Sequence, residues 1–367
     1  RDLHEPYRRQ RQMCIRDRVY YGDVTGDDMQ AVSSTKRVAN YYRFNFTKDD
    51  NPSSHWSYLY SIIQNCNLIL MNIDKLVIDE DDKAYRDDLK GEALAIRGLA
   101  LFDLTRIFGY PYLKDNGASL GVPIIEGLST IDSKPTRNTV AQCYTKIIDD
   151  LTQSLSLLGE KFNKGKINKW GAMVLLSRVY LYKGENANAL KMASDAIIGA
   201  EKNKYALWTN EDYPTAWGED ASASKPGEVL FEIVNLTTDS PGKESMGYLN
   251  SYDGYDDMCI TCSFYQFLKE DPKDIRLKLL SFDKKYYAYV NKYQPQREEN
   301  IEDANIPLIR LSEAYLNAAE AAVKENDNDA AVKYLDPIVK RANPDNTVVG
   351  QTITCLLYTS DAADDKA

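Results

Sequence analysis

One stretch constrains the fold more than any other. From Asp88 to Phe108 the chain reads DLKGEALAIRGLALFDLTRIF. Leu94, Leu101, Leu104 and Phe108 recur at spacings of seven, three and four, which puts them on one face of a helix. Ala93, Ala95, Gly98 and Ala100 keep its other faces thin, so neighbouring helices can approach closely. Gly109 and Pro111 then end it, because glycine favours a C-terminal cap and proline cannot continue the hydrogen-bond ladder.

The remaining helical segments come in pairs. His55 to Ile73 carries Trp56, Leu59, Tyr60, Ile63, Asn67 and Leu70 at helical spacing and precedes the Asp88 helix. Thr139 to Leu158 opens with Thr139 and Gln142, a T-x-x-Q pair that can cap its own first turn. Asn168 to Lys183, stopped by Gly184, is followed by Ala187 to Ala200. Pro307 to Lys324 and Asn328 to Arg341 form a last pair. Two pairs align at a fixed offset: Lys183, Ala189 and Ile197 correspond to Lys324, Ala330 and Ile338. This is the spacing of a tetratricopeptide repeat, whose hairpins must stack to bury their open apolar faces.

The repeats are interrupted between Tyr205 and Asn305. That segment carries loop signals at Lys225-Pro226-Gly227, Ser240-Pro241-Gly242 and Asp253-Gly254. It has one strand-like run, Val229 to Val234, and holds ten of the chain's 26 tyrosines together with Trp208 and Trp217. Irregular segments on a rigid frame are where binding residues concentrate. The expected fold class is mainly α: tetratricopeptide-like hairpins at about 55–204 and 307–341, with a loop-rich insertion at about 205–306 containing minor strands, in one domain over 19–354.

Both termini read differently. Residues 1–18 hold six arginines with no helical or strand period and no apolar run. They are similar to translated adapter read-through, and CLLYTSDAADDKA at 355–367 resembles the same kind of artefact. The native ends are then expected to lie outside this chain.

Charge excludes one class of partner. The formal net charge is −10 despite the basic first segment, so phosphate backbones would be repelled and nucleic acid is not expected. No apolar run is long enough to span a bilayer. Cys66 and Cys143 lie in helical patterns and read as core residues. Cys259 and Cys262 form a C-x-x-C, read as a local disulfide or two buried thiols. A zinc site would need two further ligands, and between the suspect tails there is one histidine, His55. No metal or cofactor is expected. Catalysis is hard to build, with no nucleophile elbow, phosphate loop or H-E-x-x-H. Asp27-Asp28, Asp49-Asp50 and Asp149-Asp150 read as solvated faces.

A set of short motifs in a fixed order resembles the SusD/RagB family of nutrient-binding outer-membrane lipoproteins of Bacteroidetes. Tyr21-Gly22-Asp23 with Gly26-Asp27-Asp28 resembles its early acidic segment, and WSYLYSIIQNCN at Trp56 to Asn67 its first repeat helix. The alanine-rich helix ending in Arg106-Ile107-Phe108-Gly109, then Leu120-Gly121-Val122-Pro123, follows in order. Thr139 to Leu158, Trp170 to Gly184, and the strand-to-helix entry from Ile306 to Leu316 complete the series. The family's C-terminal segment rich in arginine and glutamate has no match here.

The resemblance implies a non-catalytic protein on the outer membrane's extracellular face, held there by an N-terminal lipid this chain lacks. It implies a SusC-like TonB-dependent transporter as partner, contacted by the repeat helices, and an oligosaccharide or other nutrient on the irregular face. A pyranose offers an apolar face of C–H groups and a rim of hydroxyls, which suits tyrosine and tryptophan rings with nearby polar side chains. Trp208, Tyr213, Trp217, Tyr252 and Tyr255 are the expected stacking platforms, with core packing the alternative for each. Asp28, Arg37 and Tyr42 are candidates by family position. The rival readings are a tetratricopeptide-type scaffold for a peptide or protein and a glycosidase, which would need two acids across a cleft.

Overall fold

The computed structural model describes residues 22–45, 53–129, 132–218, 226–236, 241–285, 287–295 and 301–353. The terminal segments 1–18 and 355–367, and Tyr21, Asp49, Asp50, Lys225 and Ser240, lie outside the described residues. In chain order the helices are α1 (Ala39–Tyr42), α2 (Ser53–Asn72), α3 (Lys83–Phe108), α4 (Val140–Leu157), α5 (Lys169–Lys183), α6 (Asn186–Lys202), α7 (Met246–Asn250), α8 (Cys262–Lys269), α9 (Leu311–Lys324) and α10 (Asn328–Ala342). The strands are β1 (Met29–Ala31), β2 (Val229–Ile233), β3 (Met258–Ile260), β4 (Leu280–Phe282), β5 (Ala288–Val290) and β6 (Ile306–Arg310).

The long helix behaves as its composition requires. α3 packs on α2 on one side and α4 on another, and its buried residues run almost continuously from Ala93 to Thr105. A Cβ at Gly98 would sit 3.1 Å from Leu151 Cγ, so the small side chain sets how closely α3 and α4 approach. α3 starts at Lys83, five residues before the point where its apolar period becomes readable. The cap on α4 forms as expected. The Gln142 N–H donates to Thr139 Oγ1 at 3.2 Å, and the Thr139 N–H donates to Gln142 Oε1 at 2.9 Å. Gly184 closes α5 at φ +82°, in the left-handed region that glycine enters without a Cβ clash.

The two hairpins that align in sequence are neighbours in space: α9 packs directly against α6. The insertion therefore leaves the stack after α6 and returns to it. Its return is fixed by pairing of β2 with β6, antiparallel, with Val229 opposite Arg310 and Ile233 opposite Ile306. This changes one expectation. Helical spacing alone runs the last hairpin back to Pro307, but Ile306–Arg310 is strand and α9 begins at Leu311, the strand-to-helix entry that the family resemblance implies. Pro307 lacks the N–H a helix interior would use and is tolerated in a two-stranded ribbon.

Among the described residues, three of the hydrophobic clusters matter for the site. The main one lies among the helices. A second, smaller one holds Val24, Met29, Val38, Met246, Leu249, Met258 and Ile260. It is covered by β1 and β3, paired with Met29 opposite Ile260. The third holds Trp208, Tyr213, Trp217, Val229, Ile275 and Leu279.

Candidate functional site

Trp208, Tyr213 and Trp217, three of the five expected platforms, are 7, 0 and 8% exposed. They are core, and the expectation that they grip a ligand is corrected. Their rings meet edge to face, with centroids 5.0 Å apart for Trp208–Trp217 and 5.7 Å for Tyr213–Trp217. Arg310 lies 4.7 Å from the Trp217 centroid and Arg341, in the last turn of α10, 4.6 Å from that of Tyr213. Both guanidinium groups converge on Glu228. Arg310 Nη1 donates to its Oε1 at 2.9 Å, Arg341 Nη1 to its Oε2 at 2.9 Å, and the Trp208 N–H to the same Oε2 at 2.9 Å. Burial pushes the Glu228 carboxyl up, but Arg341 and Arg310 outweigh that and hold it below the ordinary range. The trio is buried because it shields these charges from water while tying the insertion to the last hairpin.

The other five candidates sit on elements built around the second core. Asp28 precedes β1, and its carbonyl accepts the Thr261 N–H at 2.9 Å. Tyr42 ends α1 with its residue 38% exposed. Tyr252 and Tyr255 flank the turn between α7 and β3. That turn requires Gly254, because a Cβ there would lie 2.0 Å from the Tyr248 carbonyl oxygen.

Arg37 braces Tyr255. Its Nε and Nη2 both donate to Asp257 Oδ2, at 2.9 and 2.6 Å, and its Cζ lies 3.6 Å from the Tyr255 ring centroid. One face of Tyr255 is therefore covered by a guanidinium, and Tyr248 meets its ring edge to face at 5.0 Å. The Tyr255 O–H donates to Glu244 Oε1 at 3.3 Å. Burial and the Glu244 charge push the Tyr255 phenol up, against the opposing pull of Arg37.

Tyr252 is different. It is 41% exposed, and its ring leans on Tyr289 at 5.7 Å in a tilted contact. Tyr289 is itself locked, donating its O–H to Asp256 Oδ1 at 2.5 Å. Burial and that bond raise its phenol far above the usual range. Lys36 Nζ reaches the Tyr255 carbonyl at 3.0 Å and Asp256 Oδ2 at 3.2 Å. The result is one exposed ring on a rigid support, with the exposed Asp253 beside it in the chain and Asp256 on the same turn. Such a surface can stack an apolar sugar face and accept hydrogen bonds from hydroxyls.

Sequence reasoning missed Lys36, Glu244, Tyr248, Asp256, Asp257 and Tyr289. The Asp253-Gly254 turn was a usable signal for the first tyrosines, but Arg37 and Asp257 lie 220 residues apart and nothing local pairs them.

Elsewhere, Asp150, expected on a solvated face, is fully buried. Arg97 Nε and Nη2 donate to its two oxygens at 2.8 and 2.6 Å, while Arg97 Nη1 donates to Asn67 Oδ1 at 2.8 Å. The pair cross-links α2, α3 and α4. Cys66 and Cys143 are buried free thiols, as expected for core residues. Cys259 and Cys262 are neither bonded nor both buried. Cys259 faces inward at the centre of β3, while Cys262 is exposed as the first residue of α8, so the strand-to-helix turn separates them. Burial raises the Cys259 thiol to about 11. Among the described residues no group of three or more His, Cys, Asp and Glu side chains could hold a metal ion, and no helix is long and apolar enough to cross a membrane.

Comparison with known proteins places this geometry. A family model described as "Starch-binding associating with outer membrane" matches residues 5–181, and a "SusD family" model matches residues 278–365. A SusD-like protein of Bacteroides ovatus is 27% identical over 135 residues, which is 36% of this chain and only 23% of that relative. Among solved structures, one from Bacteroides vulgatus described as "Putative sugar binding protein" is 73% identical. It covers 98% of this chain and 82% of its own, with a TM-score of 0.91. A SusD superfamily protein of Bacteroides vulgatus is 36% identical, covers 98% of this chain and 83% of its own, and has a TM-score of 0.85.

Proposed function

The chain belongs to the SusD family, a family of carbohydrate-binding and not catalytic proteins, and from that membership we propose that it holds an oligosaccharide on the surface around Tyr252. The observation that carries the reading is the one exposed tyrosine among the described residues of the insertion: Tyr252 resting on Tyr289, beside the Arg37–Tyr255 stack. Tyr42 and Asp28 contribute from the N-terminal elements of the same small core.

The protein acts at the outer membrane and hands its ligand to a SusC-like TonB-dependent transporter. In support, α2 carries no Asp, Glu, Lys or Arg, and Ile62, Leu68, Ile69 and Met71 are exposed along it. A partner able to cover that uncharged surface would account for it. Titration calorimetry with a panel of neutral α- and β-glucan oligosaccharides tests the binding. At least one oligosaccharide is expected to bind the parent and to lose about ten-fold or more in affinity with Tyr252→Ala, since one stacked ring is worth about 1–3 kcal/mol by analogy with other aromatic platforms. Binding that ignores Tyr252→Ala contradicts the assignment.

A further inference from the structure

The charges around Tyr252 and Tyr255 say which sugars the surface can take. A uronate or sulfated sugar is normally held by a guanidinium that presents two N–H groups to it. Arg37 is already committed to carboxylates of its own chain. Its Nε and Nη2 are both directed to Asp257 Oδ2, its Nη1 lies 3.6 Å from Glu244 Oε1, and its flat face is on the Tyr255 ring. Lys36 is held in the same way, by the Tyr255 carbonyl and by Asp256. Lys243, whose ammonium lies 5.8 Å from the Tyr248 ring, is the third cation of this surface. Against these three stand four carboxylates: Glu244, Asp253, Asp256 and Asp257. Asp253 is exposed, and the Asp256 side chain is 38% exposed. These named groups therefore carry one net negative charge, on a chain whose net charge is −10.

We infer that this site selects neutral glycans and rejects uronate-bearing or sulfated ones, Arg37 and Lys36 serving to brace the ring and not to meet a ligand. The inference rests on the Tyr252 surface being the glycan site. A ligand carboxylate about 4 Å from one unbalanced carboxylate in water loses about five-fold in affinity, and more where the contact excludes water.

The test is a pair of calorimetric titrations. One uses a neutral glucan oligosaccharide that binds the parent protein, the other the same oligosaccharide oxidised at C6 to uronates. The oxidised form is expected to bind at least five-fold more weakly in 50 mM salt. The gap should narrow toward 1 M salt, where screening is about 3 Å, and narrow again with Asp253→Asn. Equal or tighter binding of the oxidised form overturns the inference while leaving the glycan site in place. If neutral binding survives Tyr252→Ala unchanged, the site itself is wrong, and the inference falls with it.

Discussion

Trp217→Ala separates a structural ring from a binding ring. Trp217 is 8% exposed, and its indole is packed against Trp208 and Tyr213 and lidded by Arg310. A side chain of this kind buries about 150–250 Å². At about 25 cal/mol per Å² that is about 4–6 kcal/mol. The figure is an upper value, because the unfolded chain already hides part of its apolar surface. Truncations of buried tryptophan to alanine cost about 3–5 kcal/mol, which brackets the same answer from the cavity side. The lost cation–π contact falls within that range. With an unfolding entropy of about 2.1 cal/mol/K per residue, a loss of about 4 kcal/mol lowers the melting temperature by about 5 °C in a chain of this length. Calorimetric melting and urea titration read this directly. Glycan affinity, measured well below the new melting point, should stay within two-fold of the parent. Tyr252→Ala should do the reverse, leaving the melting temperature within about 1 °C and weakening the glycan. If Trp217→Ala abolishes binding with the melting temperature unmoved, the tryptophan is a platform and the burial argument fails.

Three further outcomes follow from the same contacts. Glu228→Gln removes the buried carboxylate that Arg310 and Arg341 share, at a cost of about 3–5 kcal/mol in urea unfolding. Because the folded carboxyl titrates below its unfolded value of about 4.3, its contribution is complete above that pH and fades as pH falls through the folded value. The parent's advantage over Glu228→Gln should therefore be flat from pH 7 to 5 and shrink below pH 4; an advantage that grows on acidification contradicts the pairing. Gly98→Val forces its Cβ to 3.1 Å from Leu151 Cγ and should cost about 1–3 kcal/mol, seen as a lower melting temperature, whereas an unchanged melt would mean α3 and α4 are not so closely packed. Asp150→Ala strands Arg97 among α2, α3 and α4 and should cost about 3–5 kcal/mol, checked by the same urea titration.

The helices were legible because their signals are local. The T-x-x-Q cap and the Gly184 stop each lie within one or two turns of the backbone they set, and the structure reproduces both, as it does the two hairpins that the repeat offset matches. The strand run at Val229 was legible for the same reason, whereas its partner β6 is marked as strand only by the family's strand-to-helix entry and not by its spacing. The site was not legible in this way. An aromatic-rich loop has the same composition whether its rings face water or each other, and what decides is the arginines. Arg310 and Arg341 sit far along the chain from Trp217 and Tyr213, and they converge on Glu228 because β2 pairs with β6 and because the last hairpin brings α10 alongside. Arg37 likewise meets Tyr255 only because β1 pairs with β3. Turn chemistry pointed to Tyr252 and Tyr255; tertiary packing then covered one face of Tyr255 and left Tyr252 open.

Hydroxyl-radical footprinting with and without a bound neutral oligosaccharide probes the central assignment residue by residue. Oxidation of Tyr252 should be substantial in the free protein and fall on saturation, while Trp208 and Trp217 stay weakly oxidised throughout. Tryptophans that react in the free protein and are protected by the sugar, beside a Tyr252 that does not change, would contradict it.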